Sequence, residues 1–324
     1  MKIARRIAAL VTAALLCMFS GEGRALTDED YDYWYEQMTY LVYEIGTRMV
    51  GTEGERLAHE YLLEEFERIG YAPGTDAVME SVCEVNGVAC TSIVAIKPAL
   101  HEGAALLTVC AHYDSNAPGA RDNASGTAAM LMLARRMAQM DAYPDAEVRF
   151  IAFSAEESGH QGSLGYVQEL REEEKARSLA VFNIDILAVD VWDTEAAFSV
   201  DSMGMRTEDG YVEGTEERPA RNKAVRAVEA AMDEVSGFAP EDAGITYCVP
   251  RHLGMSDHES FHLSGIDAAN VCFRGNVEEG GHWPIFMHTP SDTMGDFELE
   301  RSYQALDVAF AAVDGLARDA RYGD

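Results

Sequence analysis

Five short stretches carry side chains able to ligate a metal or move a proton. They are His112 and Asp114 in "CAHYDSN", Asp122 in "ARDNASG", Glu156 and Glu157 in "FSAEESG", Asp185 in "FNIDILA" and His288 in "FMHTPSDT". Adjacent carboxylates such as Glu156 and Glu157 repel each other, at a cost when partly buried. Imidazole suits zinc, and carboxylates join it readily. A single catalytic zinc takes three protein ligands and keeps one position open. Five ligand candidates suit two metals about 3.5–4 Å apart that share a bridging carboxylate. Two cations also offset clustered negative charge. The two glutamates then divide the labour: one ligates, and the other takes a proton from water. Taken singly, each stretch has an ordinary reading, a solvated loop for the glutamates and a hydrogen-bonded core residue for His112. Asp185, late in an apolar strand, would be costly if buried unpaired.

These residues need a frame that brings them together. The pattern predicts helices over 28–48 and 53–69, the second stopped by Gly70. A hairpin over 77–96 turns at Asn86-Gly87, a type I′ signature. Apolar strands follow at 104–111, 148–153 and 179–188, with helices at 124–140 and 163–175 between them. Residues 191–217 read as loops with one short strand. A helix over 219–235, short strands at 246–249 and 268–273, and an amphipathic helix over 298–318 complete the chain. Alternating strands and helices argue an α/β fold with a mostly parallel, mixed central sheet covered by helices on both faces. Ligand sites in such sheets lie beyond the carboxyl ends of the strands. Each candidate residue follows or ends a strand, or sits in a late loop.

The spacing H-x-D at 112–114, "RDNASG", the Glu-Glu pair, "NID" at 183–185 and "HTPSDT" together resemble the zinc-dependent M28 peptidases, a family containing co-catalytic di-zinc aminopeptidases. The ordered motifs run from about residue 108 to 293. The resemblance implies a zinc-exopeptidase-like three-layer fold and two zinc ions per chain. It implies that Asp122 bridges the metals, that His112 and Asp185 complete one site, and that Glu157 and His288 complete the other. Glu156 would be the general base acting on a metal-bridged water. Asp114 would hydrogen-bond His112 and fix its tautomer. A cis peptide would follow Asp122. The implied substrate is a peptide with a free N-terminus, cleaved at its first bond. "SDHES" at 256–260 also resembles a family segment, with Ser256 behind the site or capping a helix. Aromatic residues 283–286 wall the substrate pocket or pack in the core.

Composition narrows the function further. The chain has 324 residues and a formal net charge of −31. That balance argues against nucleic acid, whose phosphates demand Lys and Arg, and against an anionic membrane. The first 25 residues have a basic start (Lys2, Arg5, Arg6), an apolar run and small residues leading to Ala25. This reads as a secretory signal cleaved near Ala25, leaving residues 26–324 as a single secreted domain with no stable membrane insertion. Cys17 leaves with the signal. Hairpin counting sets Cys83 opposite Cys90, within disulfide range, so a bond is expected there. Cys110, Cys248 and Cys272 read as core residues. His258, His262 and His282 read as packing or surface residues.

Three other functions remain open at this point. Zinc-dependent glutaminyl cyclases share the fold and much of the ligand set, but with one catalytic zinc. A carboxypeptidase would need cations for the substrate carboxylate, with Arg121, Arg251 and Arg274 as candidates. A non-catalytic ectodomain would lack ligands that are all present here. The sequence leaves the oligomeric state undefined.

Overall fold

The computed structural model describes residues 25–72, 77–193, 196–201, 206–207, 210–211, 222–235, 243–244, 256–275 and 286–320. The elements in chain order begin with α1 (Asp28–Tyr40), continued by a π-helical turn (Leu41–Ile45), and α2 (Glu53–Ile69). The hairpin β1 (Val78–Val85) and β2 (Val88–Lys97) follows, then β3 (Ala105–His112), α3 (Ser125–Ala138), β4 (Ala146–Phe153), α4 (Gln161–Glu169), α5 (Glu172–Arg177) and β5 (Ser178–Ile184). After these come β6 (Ala196–Asp201), the small ribbon β7 (Arg206–Thr207) and β8 (Gly210–Tyr211), α6 (Lys223–Glu234), β9 (Ala243–Gly244), α7 (His258–Leu263), β10 (Ala268–Gly275) and α8 (Leu299–Asp319).

Eight strands form one mixed sheet in the order β1-β2-β4-β3-β5-β10-β6-β9. The four strands β4, β3, β5 and β10 run parallel at its centre. The hairpin joins one side antiparallel through β2, and β6 joins the other antiparallel through β10. Alternation along the central strands explains the layers. Leu107, Val109 and Ala111 of β3, Val148, Phe150 and Ala152 of β4, and Phe182 of β5 enter one core with α1, α2, α3, α6 and α8. Cys110, Ile151, Phe153 and Val181, pointing the other way, pack under Tyr166, Val167 and Phe261 from α4 and α7. Helices therefore cover both faces, and strands buried on both sides read as nearly continuous apolar runs.

Chain direction places the site. From β3 the chain crosses to β4 on one side and then returns to β5 on the other. This reversal is a topological switch point, with a crevice beyond the carboxyl ends. Register levels those ends: His112 pairs with Phe153, and Cys110 pairs with Asn183.

Several local expectations are corrected. The helix expected over 163–175 is two helices, because Leu170 turns extended (ψ 127°) and buries its side chain in the second core. The strand expected to reach residue 188 ends at Ile184. Ile186 takes φ 62°, and its N–H goes to Asn123 Oδ1 rather than to a neighbouring strand. The helix expected from 219 starts at Lys223, where Asn222 accepts the N–H groups of Ala224 and Val225. Cys83 and Cys90 face each other as counted, with Asn86 and Gly87 both at positive φ, yet both are free thiols. In a two-residue hairpin this pair falls at a hydrogen-bonded position, where side chains stand farther apart than at the alternate positions. The strand expected at 246–249, Cys248, Arg251, His282 and Trp283 lie outside the described residues.

Candidate active site

Loops at the three strand ends carry the predicted residues to one place. His112 ends β3, with Nδ1 3.1 Å from the Asp114 main-chain oxygen. Its Nε2 points at three carboxylates: Asp122 Oδ1 at 3.3 Å, Asp185 Oδ1 at 3.4 Å and Glu156 Oε2 at 3.9 Å. The other oxygen of Asp122, Oδ2, lies 3.0 Å from His288 Nε2, which is also 2.9 Å from Glu157 Oε2. Two groups able to hold a metal result, His112–Glu156–Asp185 and Asp122–Glu157–His288. Asp122 lies between the groups, with one oxygen toward each histidine. In the inner group His112 and Asp185 are buried and Glu156 is half-buried. His288 closes the outer one with 45% of its side chain exposed.

Two observations fit a metal. Among the described residues, His112 Nε2 and Asp185 Oδ1 are buried with no hydrogen-bond partner, although they face each other. Each orphaned polar atom costs on the order of 1–3 kcal/mol, and a cation between them removes that cost. The electrostatics also call for positive charge. Burial, then the neighbouring Asp122 carboxylate, pushes the Glu157 pKa up to about 8. Burial disfavours a charged His112, but Glu156 and Asp185 outweigh it and hold its pKa well above the usual value. The hydrogen bond to Asp122 leads in raising His288 to about 9. In Asp122, burial is outweighed by the two histidines, and its pKa is lowered. Imidazoles and carboxylates in these numbers are the donor set zinc takes.

The backbone is bent to aim these groups. Ala155, Ile186 and His288 all sit at positive φ (61°, 62° and 58°), next to or within the ligand positions. Non-glycine residues there cost on the order of 1 kcal/mol or more and cluster at functional sites. The expected cis peptide between Asp122 and Asn123 is present. Gly126 lets α3 approach: a Cβ there would stand 2.1 Å from the Ile184 carbonyl oxygen.

Asp114 acts differently from expectation. Its carboxylate is 3.6 Å from His112 Nδ1, beyond hydrogen-bond range, and the main-chain oxygen takes that role. The carboxylate instead accepts the N–H groups of Glu156 (3.1 Å) and Glu157 (3.2 Å), pinning the paired glutamates. Asn116 adds a 2.6 Å bond to Glu157 Oε2. Arg121 is not available to a substrate carboxylate. It is buried, paired with Asp190 and Asp292, and lies over Phe297. Ser256 accepts a 2.7 Å bond from Asn183, two residues before Asp185. His258 and His262 are buried.

Besides Asn116, four residues with supporting contacts were not singled out from the sequence. Asp292 accepts the main-chain N–H groups of both Arg121 (3.0 Å) and Asp122 (3.2 Å). Its place in "HTPSDT" was the available signal. His160 and Glu259 stand behind Glu156. Arg48 is fully buried and donates to the carbonyls of Leu41, Gly46, Tyr113, Pro118 and Gly119. Burial lowers its pKa to about 10, so it stays charged at neutral pH and braces the loop between His112 and Asp122.

A family model for peptidase family M28 matches residues 92–313. Aminopeptidase YwaD of Bacillus subtilis is 36% identical over 211 residues, covering 64% of this chain and 40% of that protein, so the match spans well under half the relative's length. The solved structure of BSAP, a zinc aminopeptidase from Bacillus subtilis, superposes with a TM-score of 0.69 at 22% identity, covering 90% of this chain and 97% of that one. A glutaminyl cyclase from Porphyromonas gingivalis shares the fold with a TM-score of 0.65 at 18% identity, covering 89% of this chain and 98% of that one. On the family match and the ordered site motifs, the chain belongs to peptidase family M28.

Proposed function

We propose that this chain is a secreted aminopeptidase that hydrolyses the first peptide bond of substrates with a free N-terminus, using two zinc ions. The observation that carries the reading is the pair of ligand groups, with Asp122 directing one oxygen to each. His112 and Asp185 would hold one ion, Glu157 and His288 the other, and Asp122 both. Zinc bound there would supply Lewis-acid polarisation of the scissile carbonyl and a lowered water pKa. Glu156 takes the proton of the attacking water and returns it to the leaving amine. Asp114 keeps the main chain of Glu156 and Glu157 in place during that exchange.

Two features favour the amino end. The Asp122 and Glu157 carboxylates of the outer, more exposed group suit a substrate ammonium. Arg121, which could have gripped a C-terminal carboxylate, is committed to Asp190 and Asp292. A cyclase with the same fold needs one zinc, whereas two groups able to hold a metal stand here. Export rests on the basic, apolar, small-residue order of residues 1–25, which lie almost wholly outside the described structure, with 26–324 as the mature domain. Among the described residues, no helix is long and apolar enough to cross a membrane.

Product analysis on a short peptide, free or N-acetylated, tests the reading. Release of the first residue from the free peptide only, stopped by chelator and restored by zinc, supports it. Release from the other end, or loss of ammonia from an N-terminal glutamine, overturns it.

A further inference from the structure

Glu156 is gripped through one oxygen and offers the other. Its Oε1 lies 3.2 Å from His160 Nε2, while Oε2 faces the inner ligand group, 3.9 Å from His112 Nε2. His160 is fixed from behind: its Nδ1 lies 3.4 Å from Glu259 Oε2, on α7. The three side chains are only 12%, 12% and 11% exposed, so water competes little for these contacts. His160 takes φ 58° at the start of α4. A non-glycine residue there costs on the order of 1 kcal/mol or more, and the ring's placement between two carboxylates offsets it. Burial opposes a charged ring, but Glu156 and Glu259 outweigh it and raise its pKa to about 10.

That grip solves a problem set by the site itself. Glu156 belongs to the same metal-capable group as His112 and Asp185. A free carboxylate beside a cation is drawn into its coordination shell, and once ligated it is a poor proton acceptor. Glu156 is restrained at two points, through its main-chain N–H by Asp114 and through Oε1 by His160. We propose that His160, braced by Glu259, is the positioning residue of the general base, holding the Glu156 carboxylate off the metals with Oε2 turned toward the water. This rests on the reading of Glu156 as the base.

The test compares His160→Leu, His160→Gln and Glu259→Gln in the zinc-loaded full chain. Leucine p-nitroanilide is the probe, bound zinc is counted, and crystal structures of the zinc-loaded parent and the His160→Leu protein are determined. Glutamine can donate an N–H near the same point; leucine cannot. The expected result for His160→Leu is a kcat about 10- to 100-fold lower, with KM and zinc count little changed, and with most of the loss recovered in His160→Gln. Glu259→Gln falls between them. The crystal structure of His160→Leu should show Glu156 swung onto zinc or away from the site. Parent-like kcat in His160→Leu, equal losses in the leucine and glutamine variants, or an unmoved Glu156 overturns the proposal. If the parent cleaves no peptide, the aminopeptidase reading fails on its own account. The position of Glu156 in the two crystal structures then still decides whether His160 positions it.

Discussion

Asp292 accepts the main-chain N–H of Asp122 at 3.2 Å, across 170 residues of chain. The same carboxylate takes the main-chain N–H and guanidinium of Arg121, so the late loop carrying His288 is stapled to the segment carrying Asp122. Asp292→Ala should therefore separate two ligands without touching either. Zinc affinity should fall by about 10- to 100-fold, as for other supporting partners of metal ligands. Zinc titration against a competing chelator measures this, and Asp292→Asn should lose less.

Glu156→Gln keeps shape and hydrogen bonding but cannot accept a proton. Its kcat should drop by about 10²- to 10⁴-fold, with zinc content and KM close to the parent. A variant that loses zinc as well would show that Glu156 is a ligand instead.

The two ligand groups predict different metal counts. His288→Ala, touching only the outer group, should leave about one zinc per chain. Asp122→Asn should lower the occupancy of both sites. Metal analysis after dialysis distinguishes these outcomes directly.

His258 gives a pH dependence outside the two candidate metal groups. It is fully buried, and burial, then the neighbouring His262, His160 and Arg274, lowers its pKa from 6.5 to about 3. The fold therefore holds it neutral while the unfolded chain protonates it. The unfolded state binds the extra proton, so stability falls as pH drops through about 6.5 toward 3. Between about pH 7 and pH 5 this group alone removes about 2 kcal/mol. Urea titrations should show the gap between parent and His258→Gln changing by that amount over the same interval.

The parallel centre of the sheet was legible because strands buried on both faces read as nearly continuous apolar runs, as in 104–111. The two groups able to hold a metal were legible as a gathering of residues because five strand ends and loops carried metal-type side chains in order. What the sequence concealed was the choice of partner. Asp114 and His112 are two residues apart, but nothing in that spacing tells a main-chain oxygen from a carboxylate. Arg121 read as a free cation because Asp190 and Asp292 lie 69 and 171 residues away. His160 passed unnoticed because its partner Glu259 comes from another helix. The break at Leu170 and the end of β5 were hidden because apolar residues continue past both points while the backbone changes direction.

Arg48 grips its loop only through carbonyl oxygens. Every residue supplies a carbonyl, so the grip is blind to the side chains it crosses. A mutational scan should find position 48 nearly invariant, while Pro118, held only through its carbonyl among the contacts described, accepts substitution so long as the path of the chain survives. The loop between His112 and Asp122 can therefore vary in side chain while its path, and the placing of the two residues it joins, is kept.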